Sequence, residues 1–244
     1  MDGERFALSE PIRIRNRLHT SMFDDMTGPI ILDEYVRPHL RSSALVVIDV
    51  QNDFLDDGTM PVPGTTGILP RLTMLVEAFR RAHRPIVHVV RIYDGDDVDL
   101  VRRTTITRDD APIVRPGTVG SQISRGLLPA AAEHLDPKLL LDGGFQAVGD
   151  AEAVMWKPRW SAFHRTRLDA HLIDLGVDTV VVAGCNLPNC PHATLFDASA
   201  RDYRTVLVTD ATSQVTPERL SNVRAIGVAP LTVEDLVAGL TFTV

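Results

Sequence analysis

The sequence predicts an α/β fold, and three observations carry that expectation. Continuous apolar, β-branched runs recur from residue 44 onward, as strands buried on both faces require. Between them lie stretches whose apolar residues fall at helical spacing. The two kinds of segment alternate, which implies a parallel sheet with right-handed crossovers and helices on both sides, a three-layer α/β/α domain.

Ala44-Leu45-Val46-Val47-Ile48 is the first strand by this reading. Residues 67–82 place Ile68, Leu72, Leu75, Val76 and Phe79 on one helical face. Pro85 to Val90 reads as a second strand, and from about 93 to 120 the Asp, Arg and Gly content reads as loop. Helical material is expected near Ile123 to His134, a short strand at Ala153-Val154-Met155-Trp156, and a helix over 166–175. Asp178 to Ala183 carries the strongest strand signal, followed by a helix from Cys190 to Arg201. Thr205 to Thr209 is a further strand, Pro217 to Ile226 a further helix, and a last strand is expected near Val228 to Val233. These elements form one domain spanning residues 42–244. Residues 1–41 lack a clear period and are expected to be an N-terminal extension lying over the domain or a neighbouring subunit, with a disordered tail as the alternative. No internal repeat or low-complexity tract interrupts the chain.

A formal net charge of −7 over 244 residues, with no basic stripe, argues against nucleic acid as a partner. No apolar run is long enough to span a bilayer, so no membrane is expected as a partner either. The stretch Met1-Asp2-Gly3-Glu4-Arg5-Phe6 has neither a basic region nor an apolar core after it, and a cytoplasmic location is expected. The two cysteines, Cys185 and Cys190, then read as reduced. Buried small hydrophobes are one alternative, and a disulfide ranks last because so short a loop strains the bridge.

In open α/β sheets ligands bind beyond the carboxyl ends of strands, and three residues stand there. Asp49 ends the first strand, Lys157 follows the short strand, and Cys190 begins the helix after the strongest strand. The unpaired N–H groups and partial positive charge of a helix N-terminus favour a thiolate over a thiol. A carboxylate can take the thiol proton, and an ammonium favours both anions. Each residue has a plainer reading: Asp49 as a cap, Lys157 as a surface charge, Cys190 as core packing. Their gathering at three strand ends is what favours chemistry.

The separated blocks Asp49-Val50-Gln51-Asn52-Asp53-Phe54, Pro61-Val62-Pro63-Gly64 and Pro116-Gly117-Thr118-Val119-Gly120 open a wider pattern. Lys157 with Ser161-Ala162-Phe163, Val182-Ala183-Gly184 with Cys190 and Ala193-Thr194, and Val208-Thr209-Asp210-Ala211 continue it. Over roughly residues 42–235 the chain resembles the isochorismatase-like cysteine hydrolases, which include nicotinamidases and ureidoacrylate and N-carbamoylsarcosine amidohydrolases. The resemblance implies a six-stranded parallel sheet, an Asp49–Lys157–Cys190 triad and a cis peptide before Asn186. It also implies an oxyanion hole made by the backbone N–H groups of Asn186 and Cys190, and a homodimer or homotetramer. Cys190 rather than Cys185 has the family register. The loop Asn186-Leu187-Pro188-Asn189 looks like that of the branch containing streptothricin hydrolase.

The function so implied is hydrolysis of a C–N bond (amide, lactam, ureide or carbamoyl) of a small molecule through a cysteine thioester, with no cofactor. Gln51, Asn52, Trp156, Trp160 and Phe163 are the candidate substrate-binding residues, with packing as an equal alternative for the tryptophans. The metal site of nicotinamidases has no histidine counterpart in Arg91-Ile92-Tyr93-Asp94-Gly95-Asp96, so no metal is expected, and a Cys185/Cys190/His192 site is a weaker reading. Vinyl-ether-cleaving members lack the cysteine, so its presence points to acyl transfer. The alternatives are a non-catalytic binding or scaffold protein with this fold and an isochorismatase-type hydrolase of a different bond. A dinucleotide-binding domain is weakened because no Gly-x-Gly-x-x-Gly follows any strand.

Overall fold

The computed structural model describes residues 33–241. The extension expected over residues 1–41 therefore lies for its greater part outside the described residues. In chain order the elements are β1 (Ser43–Ile48), α1 (Thr65–Arg81), β2 (Ile86–Val90), α2 (Leu100–Thr107) and α3 (Pro137–Leu141). There follow β3 (Phe145–Gly149), β4 (Glu152–Trp156), α4 (Leu168–Asp174), β5 (Thr179–Gly184) and α5 (Cys190–Ser199). The chain continues through β6 (Arg204–Thr212), α6 (Pro217–Arg224), β7 (Ala229–Leu231) and α7 (Val233–Thr241). The strands form a seven-stranded sheet in the order β3-β4-β2-β1-β5-β6-β7.

The α/β class and the layers are as expected, and β4, β2, β1, β5, β6 and β7 run parallel. The sheet nevertheless has one strand more than the expected six. The additional strand, β3, pairs antiparallel with β4 at the edge. It is half exposed and so lacks the unbroken apolar run that reveals a central strand.

Alternation along the strands feeds two cores. Leu45 and Val47 of β1 face α1 (Leu72, Leu75, Val76, Phe79) and α7 (Val233, Leu236, Leu240). Ala44, Val46 and Ile48 face α4 (Leu168, Leu172), α5 (Leu195, Ala198) and α6 (Val223). Val181 and Ala183 of β5 join the first group, Val180 and Val182 the second, as a period of two requires.

Three expectations change. The region 93–120 is not all loop, because α2 lies within it. Ile123 to His134 is not a helix: it holds a single 3-10 turn at Arg125–Leu127, and Gly126 and Pro129 break any longer one. The last strand stops at Leu231, and α7 follows. The residues just before 42 lie against the domain: the His39 N–H donates to Thr179 Oγ1 (3.0 Å) and Leu40 packs on the first core. No helix among the described residues is long and apolar enough to cross a membrane.

Candidate active site

Strand order decides which chain ends meet. With β1 between β2 and β5, and β4 beside β2, the residues following these four strands share one edge of the sheet. Asp49 leaves β1 in the left-handed region (φ 53°), which Asp tolerates better than most residues. Its N–H donates to Val89 O (2.9 Å). Its Oδ2 accepts from Lys157 Nζ at 2.8 Å, while Oδ1 is buried with no N–H or O–H donor. Lys157 is fully buried, which a lysine tolerates only when paired.

The β5 strand ends on Gly184, with φ 116°. A Cβ there would lie 2.3 Å from Ile48 O, so only glycine lets β1 and β5 approach this closely. Ile48 O accepts from the Cys185 N–H (2.8 Å). The Cys185–Asn186 peptide is cis, as the resemblance implied. The loop is then pinned to the segment after β6, by Leu187 N–H to Ser213 O (3.0 Å) and Asn186 Nδ2 to Gln214 Oε1 (2.9 Å). Cys190 opens α5, and the missing N–H of Pro191 is lost where no intrahelical bond is made. Neither the Asn186 nor the Cys190 backbone N–H donates a hydrogen bond among the described residues.

Both cysteines are free and buried. Burial pushes the Cys190 thiol up, and the Asp49 carboxylate adds to this by its charge and by holding the thiol proton. Lys157 and Arg91 act in the opposite direction without prevailing. The buried surroundings thus favour the thiol, whereas the place at a helix start favours a thiolate. Cys185 is pushed up to about 12 by burial, although hydrogen bonds with Thr65 and Ser213 oppose the shift.

The residue sequence reasoning missed is Arg91, which directly follows β2 and is 2% exposed. Its Nη2 lies 3.4 Å from Cys190 Sγ and its Nε 3.8 Å from Asp49 Oδ2. Nη1 is bonded to Asp99 Oδ2, and the Trp160 ring lies over the guanidinium at 5.1 Å. Burial opposes its charge, but Cys190, Asp49, Tyr93 and Asp99 around it keep it firmly protonated. Its position just past a strand end was the same signal that singled out Asp49.

Of the five candidate substrate-binding residues, only Trp160 lines the cleft, together with Asp49, Phe54, Met60, Val62, Arg91, Tyr93, Arg102, Cys185, Asn186, Asn189 and Cys190. Gln51 is fully buried: its Oε1 accepts from the Arg91 N–H, and its Nε2 donates to Arg91 O and Ser121 O, each at 2.7 Å. It therefore holds Arg91 in place. Asn52 donates to Val119 O (2.8 Å), and Trp156 donates to Ile92 O (3.1 Å) while packing on the first core. Phe163 is buried in the second core against Tyr203. The cleft has a volume of about 40 Å³. Among the described residues no three His, Cys, Asp or Glu side chains gather as a metal site.

The Isochorismatase domain family model matches residues 43–235 of the chain. A probable inactive nicotinamidase of Arabidopsis thaliana is 38% identical over 182 residues, covering 73% of this chain and 84% of its own. A ureidoacrylate amidohydrolase of Methylobacterium radiotolerans is 30% identical over 206 residues, covering 79% of this chain and 72% of its own. An isochorismatase family protein from Desulfovibrio vulgaris, of known structure, superposes with a TM-score of 0.69 at 34% identity, covering 82% of this chain and 99% of that one.

Proposed function

The chain belongs to the isochorismatase family, and from that premise we propose a cysteine hydrolase that opens a C–N bond of a small amide-type molecule through a Cys190 thioester. One observation carries the reading. Asp49 is clamped at Oδ2 by Lys157, leaving a buried Oδ1 without any other donor to serve the Cys190 thiol. A carboxylate so placed is a general base with one proton to accept.

In the proposed reaction Asp49 takes the thiol proton as Cys190 Sγ bonds to the carbonyl carbon. The Asn186 and Cys190 N–H groups, which have no other acceptor among the described residues, receive the oxyanion. Each such donor contributes about 3 kcal/mol. The C–N bond then breaks, Asp49 returns its proton to the departing nitrogen, and a thioester remains. Water, giving a proton to Asp49, attacks that carbonyl; the C–S bond breaks, and the proton returns to sulfur. Arg91 and Lys157 hold the two positive charges that make ionisation of the buried thiol feasible.

A second reading is favoured by the similarity to a probable inactive nicotinamidase: the fold is kept for binding, without turnover. Exposure of the protein to amides, lactams, ureides and carbamoyl compounds separates the two, with ammonia release and the intact mass of the protein as readouts. Lactams are included because the Asn186–Asn189 loop resembles that of a branch opening a cyclic amide. The hydrolase reading expects a transient acyl adduct on Cys190, absent in Cys190→Ala and present in Cys185→Ser. Binding of these compounds with no adduct on Cys190 overturns it in favour of the binding protein.

A further inference from the structure

Arg102 is set apart from the other arginines around the cleft. Arg91 is paired with Asp99, Arg159 and Arg165 with Asp97, and Arg115 with Asp110. Arg102, half-buried in the first turn of α2, lines the cleft yet forms no ion pair or side-chain hydrogen bond among the described residues. Its helix is anchored rather than loose, because Val98 and Ile106 on either side are buried in an apolar cluster with Phe54, Tyr93 and Cys185. The guanidinium is thus close enough to the Tyr93 hydroxyl for its charge to act there, and no acid among the described residues pairs with it.

The charge of the site leads to the same place. Among the described residues, Lys157, Arg91 and Arg102 are paired with or beside only two carboxylates, Asp49 and Asp99, and proton transfer from Cys190 to Asp49 leaves that balance unchanged. One positive charge remains, on a cleft that Arg102 lines together with the apolar Phe54, Met60 and Val62. We infer that the substrate is an anion, whose carboxylate is taken by Arg102 while its amide-type carbonyl meets Cys190. A guanidinium fork matches a carboxylate in geometry and charge, and the apolar residues of the same lining favour a short apolar spacer. This inference rests on the cysteine-hydrolase reading and names the class of substrate for it.

Iodoacetate and iodoacetamide test it without knowledge of the substrate, since they carry the same reacting carbon with and without a negative charge. In each case Cys190 sulfur bonds to the methylene carbon and iodide departs. Rates are followed by mass spectrometry of the Cys190 peptide in a Cys185→Ser background, and the iodoacetate-to-iodoacetamide rate ratio is compared between variants. Arg102→Gln is expected to lower the ratio about tenfold, the effect of one opposite charge at short range in a partly wet cleft. Arg102→Lys is expected to keep most of it. Because Arg91 also attracts the anion in every variant, only the change on removing Arg102 counts. A ratio unchanged in Arg102→Gln overturns the inference and leaves the hydrolase reading standing. A Cys190 inert to both reagents overturns the hydrolase reading and this inference with it.

Discussion

Arg91 ties Cys190, Asp49 and Asp99 into one buried cluster, and its removal is informative only if Asp99 is not stranded. Asp99 Oδ1 already has no partner, and an unpaired buried carboxylate costs several kcal/mol. The useful variant is therefore Arg91→Gln combined with Asp99→Asn. Arg91 lowers the Cys190 pKa, so its loss should move the pH profile of Cys190 alkylation by iodoacetamide to higher pH. A profile that stays in place would show that Arg91 does not stabilise the thiolate. Lys157→Met is expected to cost about 3 kcal/mol in denaturant unfolding, because it leaves the buried Asp49 carboxylate with only the more distant Arg91 as a counter-charge. At this scale the sequence was legible where a residue type was unusual for its place: a carboxylate, an ammonium and a thiol at strand ends. Gln51 and Asn52 shared that edge, but their amides serve backbone carbonyls, a use no local pattern distinguishes from ligand binding. Arg91 carries no local signal beyond its place just past β2, because an arginine there is as common on a solvated edge as in a buried cluster.

Among the elements, central strands could be read directly and short or amphipathic pieces could not. β1 and β5 are buried on both faces, so every position is apolar or small. β3 and α3 are five residues each, too short for a period to emerge. For α3 a usable signal lay in Asp136-Pro137, since Asp136 accepts from the N–H groups of Lys138 (2.9 Å) and Leu139 (3.1 Å). The signal for α7 was Thr232-Val233-Glu234-Asp235, a reciprocal capping box: Asp235 N–H donates to Thr232 Oγ1 (3.2 Å) and Thr232 N–H to Asp235 Oδ2 (2.8 Å). Thr232→Ala should cost about 1 kcal/mol, read by thermal or denaturant unfolding, with no change in Cys190 reactivity. Gly184→Ala belongs to a different class. Its Cβ meets Ile48 O, and its φ of 116° is one that alanine rarely adopts, so β1 and β5 must part where the site is built. The expected result is a loss of about 2 kcal/mol or more together with loss of the Cys190 adduct. Retention of the adduct would show that the strand ends tolerate separation.

Across the whole molecule, a second buried ionic cluster lies away from the strand ends that form the cleft. Glu152, at the start of β4, meets Arg80 of α1 through two bonds of 2.7 Å and His88 Nε2 of β2 at 2.7 Å, so one carboxylate joins the sheet to the helix covering it. Arg80 also donates to Leu127 O (2.6 Å), fastening the 3-10 turn beneath α1. Burial alone would raise the Glu152 pKa, but the hydrogen bonds and charges of His88 and Arg80 outweigh it and hold the carboxyl below its usual range. A depressed folded-state value means that the unfolded chain binds the proton first as pH falls. The stabilisation from Glu152 is therefore complete above the ordinary carboxylate range and disappears as pH drops through the folded-state value. Glu152→Gln should cost about 3 kcal/mol near neutrality, since it leaves Arg80 partly buried and unpaired, and the penalty should shrink until wild type and variant converge in acid. Unfolding curves over a pH series would show this, and a penalty independent of pH would mean that packing, not charge, is what Glu152 contributes. β4 and β2 run from this cluster to Lys157 and Arg91, so the same variant tests how stiffly the sheet separates its two ends. A close-packed parallel sheet holds its strand ends in register whether or not charge is balanced at their origins. The Cys190 alkylation rate of folded Glu152→Gln protein should then match that of wild type, and a slower rate would mean that the geometry around Cys190 depends on the cluster beneath it.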